Sequence, residues 1–194
     1  MKRLLLACVL AFITTTANAA TTIYSATLNN NSPGWQGYSM RLKLNSTGIA
    51  SLGQVRVTFT ASTAAGMTVD TAAVAVVGGA TFPNTAATPT QLFFSGAPGF
   101  TISAGTTITS DWVNFTASGS DEFVVVTDFN AGTASAARSL VTGSADYQFK
   151  AASASYNSST VTGYTDGGAT TYTSLIETQT VSSGSRMTLT GIGR

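Results

Sequence analysis

The side chains that usually carry catalysis are scarce in this chain. Its 194 residues include no histidine and one cysteine, Cys8. A Ser-His-Asp triad or a Cys-His pair therefore cannot be assembled from it, and zinc loses its preferred ligands. Gly143-Ser144 and Gly184-Ser185 place a serine beside a glycine, but neither forms the Gly-x-Ser-x-Gly elbow, and turns account for both. Acid–base chemistry would have to come from carboxylates. Asp111, Asp121, Glu122 and Asp128 are the nearest in sequence, and a glycosidase needs two carboxyl groups roughly 5 to 9 Å apart. Asp121 and Glu122 open a strand just after Gly119, where solvated acids are common, so no catalytic residue and no enzyme are expected. Asp146 and Asp166 in loops are the candidates for a structural calcium ion, yet no Asp-x-Asp-x-Asp spacing supports one. No metal site or other cofactor is expected.

Aromatic residues are the better lead. Trp35 follows Pro33-Gly34 in a loop, and Trp112 has the parity opposite to Val113 and Phe115, so both are candidates for exposure. An exposed indole can stack on a sugar or fill a partner's pocket. With Tyr38 and Tyr164 these form the expected ligand-binding set; Tyr147 and Tyr156 suit the same kind of surface. The competing reading makes them structural, with Trp35 closing an open end of the fold and Trp112 packed on a second face.

These side chains need elements to hold them, and the pattern supplies strands. After the first twenty residues apolar positions alternate, or form short β-branched runs bounded by Gly, Asn and Pro, with almost no helical period. Strands are expected at 22–28, 39–44, 54–60, 72–77, 91–95, 99–102, 107–115, 122–129, 147–152 and 172–181. Turns are expected at Asn29-Asn30-Asn31, Gly78-Gly79, Ala97-Pro98-Gly99 and Asp166-Gly167-Gly168. Met40, Leu42 and Leu44 share one face, as do Val55, Val57 and Phe59, which puts Arg41, Lys43 and Arg56 toward solvent or a groove. The stretch 122–129 is apolar on both sides, as a central strand would be. Residues 131–144 show neither period and read as a long loop with one helical turn. About ten short strands in one domain favour an all-β fold, an antiparallel two-sheet sandwich of jelly-roll type.

Lys2-Arg3, the apolar run 4–13 and Ala17-Asn18-Ala19 have the three-part form of a helical signal peptide. About ten apolar residues rise only ~15 Å as a helix, against a hydrocarbon core of roughly 30 Å. The expected division is a leader over 1–19 and one domain over 20–194, with no membrane span after cleavage. A lipoprotein cut before Cys8 is a minor alternative. Cys8 leaves with the leader, so the remaining domain is cysteine-free and is held by burial and strand pairing. The formal charge of +1 includes Lys2 and Arg3; without them it is −1, eight acids against seven bases. No nucleic-acid partner is expected, because phosphate neutralisation needs a clustered basic face.

The segment Gly99-Phe100-Thr101-Ile102-Ser103-Ala104-Gly105, then Ser110-Asp111-Trp112-Val113-Asn114-Phe115 and the run 122–126, resembles a β-sandwich accessory region found beside SGNH-type (GDSL) hydrolase domains. Similar segments occur in phage virion and bacterial surface proteins. Gln54-Val55-Arg56-Val57-Thr58-Phe59 and Tyr147-Gln148-Phe149-Lys150-Ala151 fit the same pattern. The Gly-Asp-Ser-Leu block and catalytic histidine of the hydrolases are missing. The resemblance therefore implies a freestanding accessory domain for binding or assembly, with no catalytic residue carried over.

Three functions follow as expectations. The first is a secreted, extracellular, cell-surface or periplasmic recognition module whose partner is a glycan or other surface polymer. The second is self-association as the structural protomer of a fibre, surface layer or virion, with an N-terminal arm at 21–28 added as a strand to a neighbour, against the favoured alternative that this arm pairs within its own sheet. The third, an enzyme using carboxylates alone, ranks last.

Overall fold

The computed structural model describes residues 19–32, 34–44, 53–117, 121–129, 135–140, 145–151 and 156–180. Residues 1–18 of the expected leader over 1–19, the tail from 182 and both Gly-Ser pairs lie outside the described residues. Within them the structure is all-β. No helix is present there, and none is long and apolar enough to cross a membrane.

In chain order the strands are β1 (Thr21–Ser25), β2 (Asn30–Ser32), β3 (Tyr38–Leu44), β4 (Gln54–Thr60), β5 (Met67–Val69), β6 (Thr71–Val76), β7 (Thr90–Gln91) and β8 (Phe100–Ile102). They continue as β9 (Thr107–Thr109), β10 (Val113–Asn114), β11 (Phe123–Phe129), β12 (Ala136–Leu140), β13 (Ala145–Ala151), β14 (Thr165–Gly168), β15 (Thr170–Thr171) and β16 (Thr173–Gln179). A five-stranded sheet runs β1-β16-β4-β10, with β9 also on β4; a six-stranded sheet runs β14-β13-β3-β11-β6-β7. Two small sheets, β15-β12-β2 and β5-β8, complete the set, every pairing is antiparallel, and none closes into a barrel.

Alternation explains the core. Val55, Val57 and Phe59 from β4 and Ile176 from β16 join Met40, Leu42 and Leu44 from β3 and Phe123, Val125 and Phe129 from β11 in one buried apolar cluster. At about 1.5–3 kcal/mol for each large apolar side chain taken out of water, this cluster is the main stabilising term. β11 is buried along its whole length and lies between β3 and β6. Its other side puts Val124 and Val126 against Ala73, Ala75 and Val77 in a second, smaller cluster on the outer side of the six-stranded sheet.

Several expectations are corrected. The region 131–144 holds a strand, β12, which pairs with both β2 and β15. Its small side chains hide the period, since Ala136 and Ala137 are buried without looking apolar-rich. Asn30 and Asn31 lie in β2 rather than a turn, and Asp166-Gly167-Gly168 belongs to β14, an edge strand that meets β13 at a bulge. The stretch 107–115 breaks at Ser110-Asp111-Trp112 into β9 and β10. The tight turn near 95–99 falls at Ser95-Gly96, where Phe94 and Ala97 exchange backbone hydrogen bonds of 2.7 and 3.2 Å. One expectation holds: the 21–25 arm pairs with β16 of its own chain, at the edge of the five-stranded sheet, as its in-sheet reading has it.

Candidate functional site

On β13 the residues Ala145, Tyr147 and Phe149 fall on one side, opposite Leu44, Leu42 and Met40 of β3, and this is the core side. Ala145 is buried, but Tyr147 and Phe149 are only half-buried. The apolar cover over the sheet thins along β13, and a recess of about 180 Å³ opens there, lined by Gly34, Trp35, Tyr38, Met40, Tyr147 and Phe149.

Its walls are aromatic and held by one another. Trp35 lies edge-on to Phe129 and Tyr172, with centroids 5.4 and 5.3 Å away, and stacks on Tyr147 at 6.4 Å and 17°. Tyr147 stacks on Phe149 at 6.0 Å, and Tyr38 meets the Phe149 ring at 5.7 Å and 68°. These are the separations that aromatic pairs favour. Gly34 and Gly37 take φ of +87° and +76°, which side chains other than glycine rarely adopt. They fold the loop around Trp35, and the Tyr38 N–H donates to the Trp35 carbonyl at 3.2 Å. Gly167 of β14 lies against Tyr147, where an added Cβ would collide with the ring. Among the described residues, no charged side chain lines the recess. The arrangement can hold a flat or ring-shaped neutral group against aromatic faces.

Of the four expected binding residues, two come together here. Trp35, a candidate for exposure whose competing reading is structural, is only 9% exposed: it backs the recess as part of the core, while Tyr38 is half-buried at the mouth. Trp112 sits elsewhere, beside the outer face of the five-stranded sheet. It is half-buried under Arg56, whose guanidinium carbon lies 4.6 Å from the indole centroid. Tyr164 lies beyond the outer face of the six-stranded sheet; its hydroxyl and that of Ser39 share a hydrogen bond of 2.8 Å, and Arg41 stands 5.7 Å from its ring. Phe149 was not among the expected residues. Its signal was the alternation of Tyr147 with Phe149, which sets two rings on one face of a strand.

Arg41 is a correction. It has the expected parity, yet it is fully buried, donating to the carbonyl of Pro83 at 2.9 Å and to that of Ser158. Asp128, also buried, accepts from the Thr71 hydroxyl at 3.3 Å. Burial lowers the Arg41 pKa and raises that of Asp128, each against the opposing pull of hydrogen bonds and of the other's charge.

Glu122 and Asp128 do not converge. Glu122 pairs with Lys43 at 3.1 Å. Asp128 is six residues further along the same strand direction, about 20 Å at 3.3 Å per residue, which is too far for a glycosidase pair. Asp111 holds a turn instead: its two carboxylate oxygens accept from the N–H groups of Ser95 and Gly96 at 3.2 and 2.8 Å. Ser95 adopts φ +52° there, so the clamp offsets local backbone strain. Asp146 and Asp166 lie on β13 and β14 rather than in loops. Asp146 has a raised pKa, from burial first and the neighbouring charge of Asp166 second. Among the described residues no three acidic or metal-ligating side chains form a group that could hold an ion.

No protein-family model matches the chain, and no curated protein matches it significantly.

Proposed function

We propose that the protein is a secreted, non-catalytic recognition module that attaches to a neutral glycan or comparable surface polymer through the aromatic recess. The observation that carries this reading is the wall of Trp35, Tyr38, Tyr147 and Phe149, locked ring against ring and free of charge. The C–H face of a sugar ring packs on such a surface, and the phenols of Tyr38 and Tyr147 are at hand for its hydroxyls. Pre-set rings lose little conformational freedom on binding, which favours affinity from a small contact. The two large sheets form a jelly-roll-like sandwich, and the recess lies at one of its edges. The signal-like start of the sequence supports export, and the resemblance to accessory regions of surface and phage proteins supports attachment over turnover.

The test is affinity electrophoresis through gels containing neutral glucans, mannans or chitin derivatives. Retardation by at least one polymer is expected, and Tyr38→Ala with Phe149→Ala should weaken it about tenfold per ring lost, the equivalent of ~1.4 kcal/mol each. Unchanged retardation in the double variant would refute the recess as the site.

A second reading, a structural protomer, is favoured by β1. This strand lies at the open edge of its sheet and carries no lysine, proline or other charge to discourage pairing with a neighbour. Light scattering over a concentration series tests it. Regular assemblies lost on deleting 21–25 support that reading, and a concentration-independent monomer argues against it.

A further inference from the structure

On the side of the six-stranded sheet away from the recess, each large sheet ends in a strand of two residues, β7 and β10. A cleft of about 320 Å³ is lined from both. Its apolar lining includes Val76 and Phe115, and its polar lining includes Thr88, Thr90, Asn114 and Thr116. The Asn114 carboxamide is oriented by Gln54, whose Nε2 donates to Asn114 Oδ1 at 3.0 Å, and the Phe115 N–H is tied to the Gly53 carbonyl at 3.3 Å. Phe115 packs edge-on against Phe123 with centroids 5.4 Å apart, which anchors that wall in the core.

We propose that this cleft is a second, separate binding site for a neutral glycan segment, so that one molecule holds two stretches of polymer on opposite edges of its six-stranded sheet. The inference rests on the glycan-binding reading of the recess. Three features decide the ligand class. Among the described residues no charged side chain lines the cleft, which disfavours phosphates and acidic polymers. The hydroxyl residues Thr88, Thr90 and Thr116 beside apolar side chains match a ligand with hydroxyls at its rim and C–H groups on its face. A peptide strand would need a run of ladder hydrogen bonds, and β7 and β10 each offer an edge of only two residues. The cleft is also large enough to fall within the usual range for small-ligand sites, about 300–1,000 Å³.

The two sites are well separated. β3 and β11 lie between β13, at the recess, and β6, at the cleft. Three strand spacings of roughly 4.8 Å put them about 14 Å apart across the sheet. Two sites facing different ways can bridge polymer chains, and linked attachment raises avidity far above either affinity alone.

Backbone amide shifts of the purified protein, titrated with cellohexaose, mannohexaose and chitohexaose in turn, provide the test. At least one probe should shift two sets of amides, one around Tyr38 and Phe149 and one around Thr88, Thr90, Asn114 and Thr116. In Tyr38→Ala/Phe149→Ala the cleft set should persist with its dissociation constant within twofold. In Thr88→Glu/Thr116→Glu, where both exposed threonines gain a charge without core disturbance, the cleft set should weaken at least tenfold while the recess set is kept. Cleft shifts beside a silent recess support this site and sink the recess reading. Recess shifts beside a cleft silent to all three probes overturn this site and leave the recess standing. Silence at both overturns both.

Discussion

Arg41 and Arg56 look equivalent in the sequence, each alternating with apolar residues in the middle of a seven-residue strand, yet they live in different solvents. Arg41 is sealed beneath the segments that carry Pro83, Ser158 and Tyr164, with Asp128 as its buried counter-charge. Arg56 lies open on the other sheet, its side chain one-third exposed at 33%, over Trp112 and paired with Glu177 at 2.8 Å. Around Arg56 the same outer face shows a ladder of amides and hydroxyls, with Gln54 bonded to Asn114 and Gln179, and Thr58 to Thr109. The difference teaches that strand period fixes which side a residue takes, whereas the chain that returns over that side fixes its dielectric. One face is a polar core and the other is a surface.

The sharpest way to break this comparison is to truncate both arginines. Arg41→Ala removes one partner from a buried charged network and should cost about 3–5 kcal/mol of unfolding free energy, because two carbonyls are left without their donor and Asp128 without its counter-charge. A loss under about 1 kcal/mol in urea denaturation would show that the site is wetter than its geometry.

Asp128 sharpens it through pH. Its folded pKa is raised above the unfolded value, chiefly by burial, so the folded state binds the extra proton. Stability from this group is present below the unfolded value and is lost as pH rises through the folded one. The melting temperature of the native chain should therefore rise relative to that of Asp128→Asn as pH falls from 8 toward 4. A relative fall over that window would contradict the burial of an under-solvated carboxylate.

The smallest effect belongs to the open face. Arg56→Ala should cost about 0–1 kcal/mol, and that cost should shrink as salt is added, since exposed pairs are screened. A loss as large as that at Arg41 would erase the distinction between the faces.

The strands with strong alternation were legible from sequence: 54–60 matches β4, and the two-sided apolar run at 122–129 is the buried β11. The strand at 136–140 was not, because its alanines and serine give a period no contrast, and only pairing with β2 and β15 defines it. In the candidate site, Trp35 and Tyr38 were legible as residues but not as neighbours. Their meeting with Tyr147 and Phe149 depends on the pairing of β13 with β3, a contact of more than a hundred residues' separation that no local pattern encodes. Parity told the side of Trp112 correctly, but its partner, Arg56, comes from another strand. The recess needed one further feature, the thin cover along β13 among the described residues, which is a property of packing and not of any residue.

The central claim, that ligand meets the aromatic recess, has a direct optical test because the chain contains two tryptophans. In Trp112→Phe the only indole left is Trp35, at the back of the recess. Titration with a neutral polymer that retards the protein in gels should change its emission saturably, with the same dissociation constant as the retardation. Full retardation with unaltered Trp35 emission, together with a saturable change from Trp112 in Trp35→Phe, would contradict the account and move the site to the open face beside Arg56.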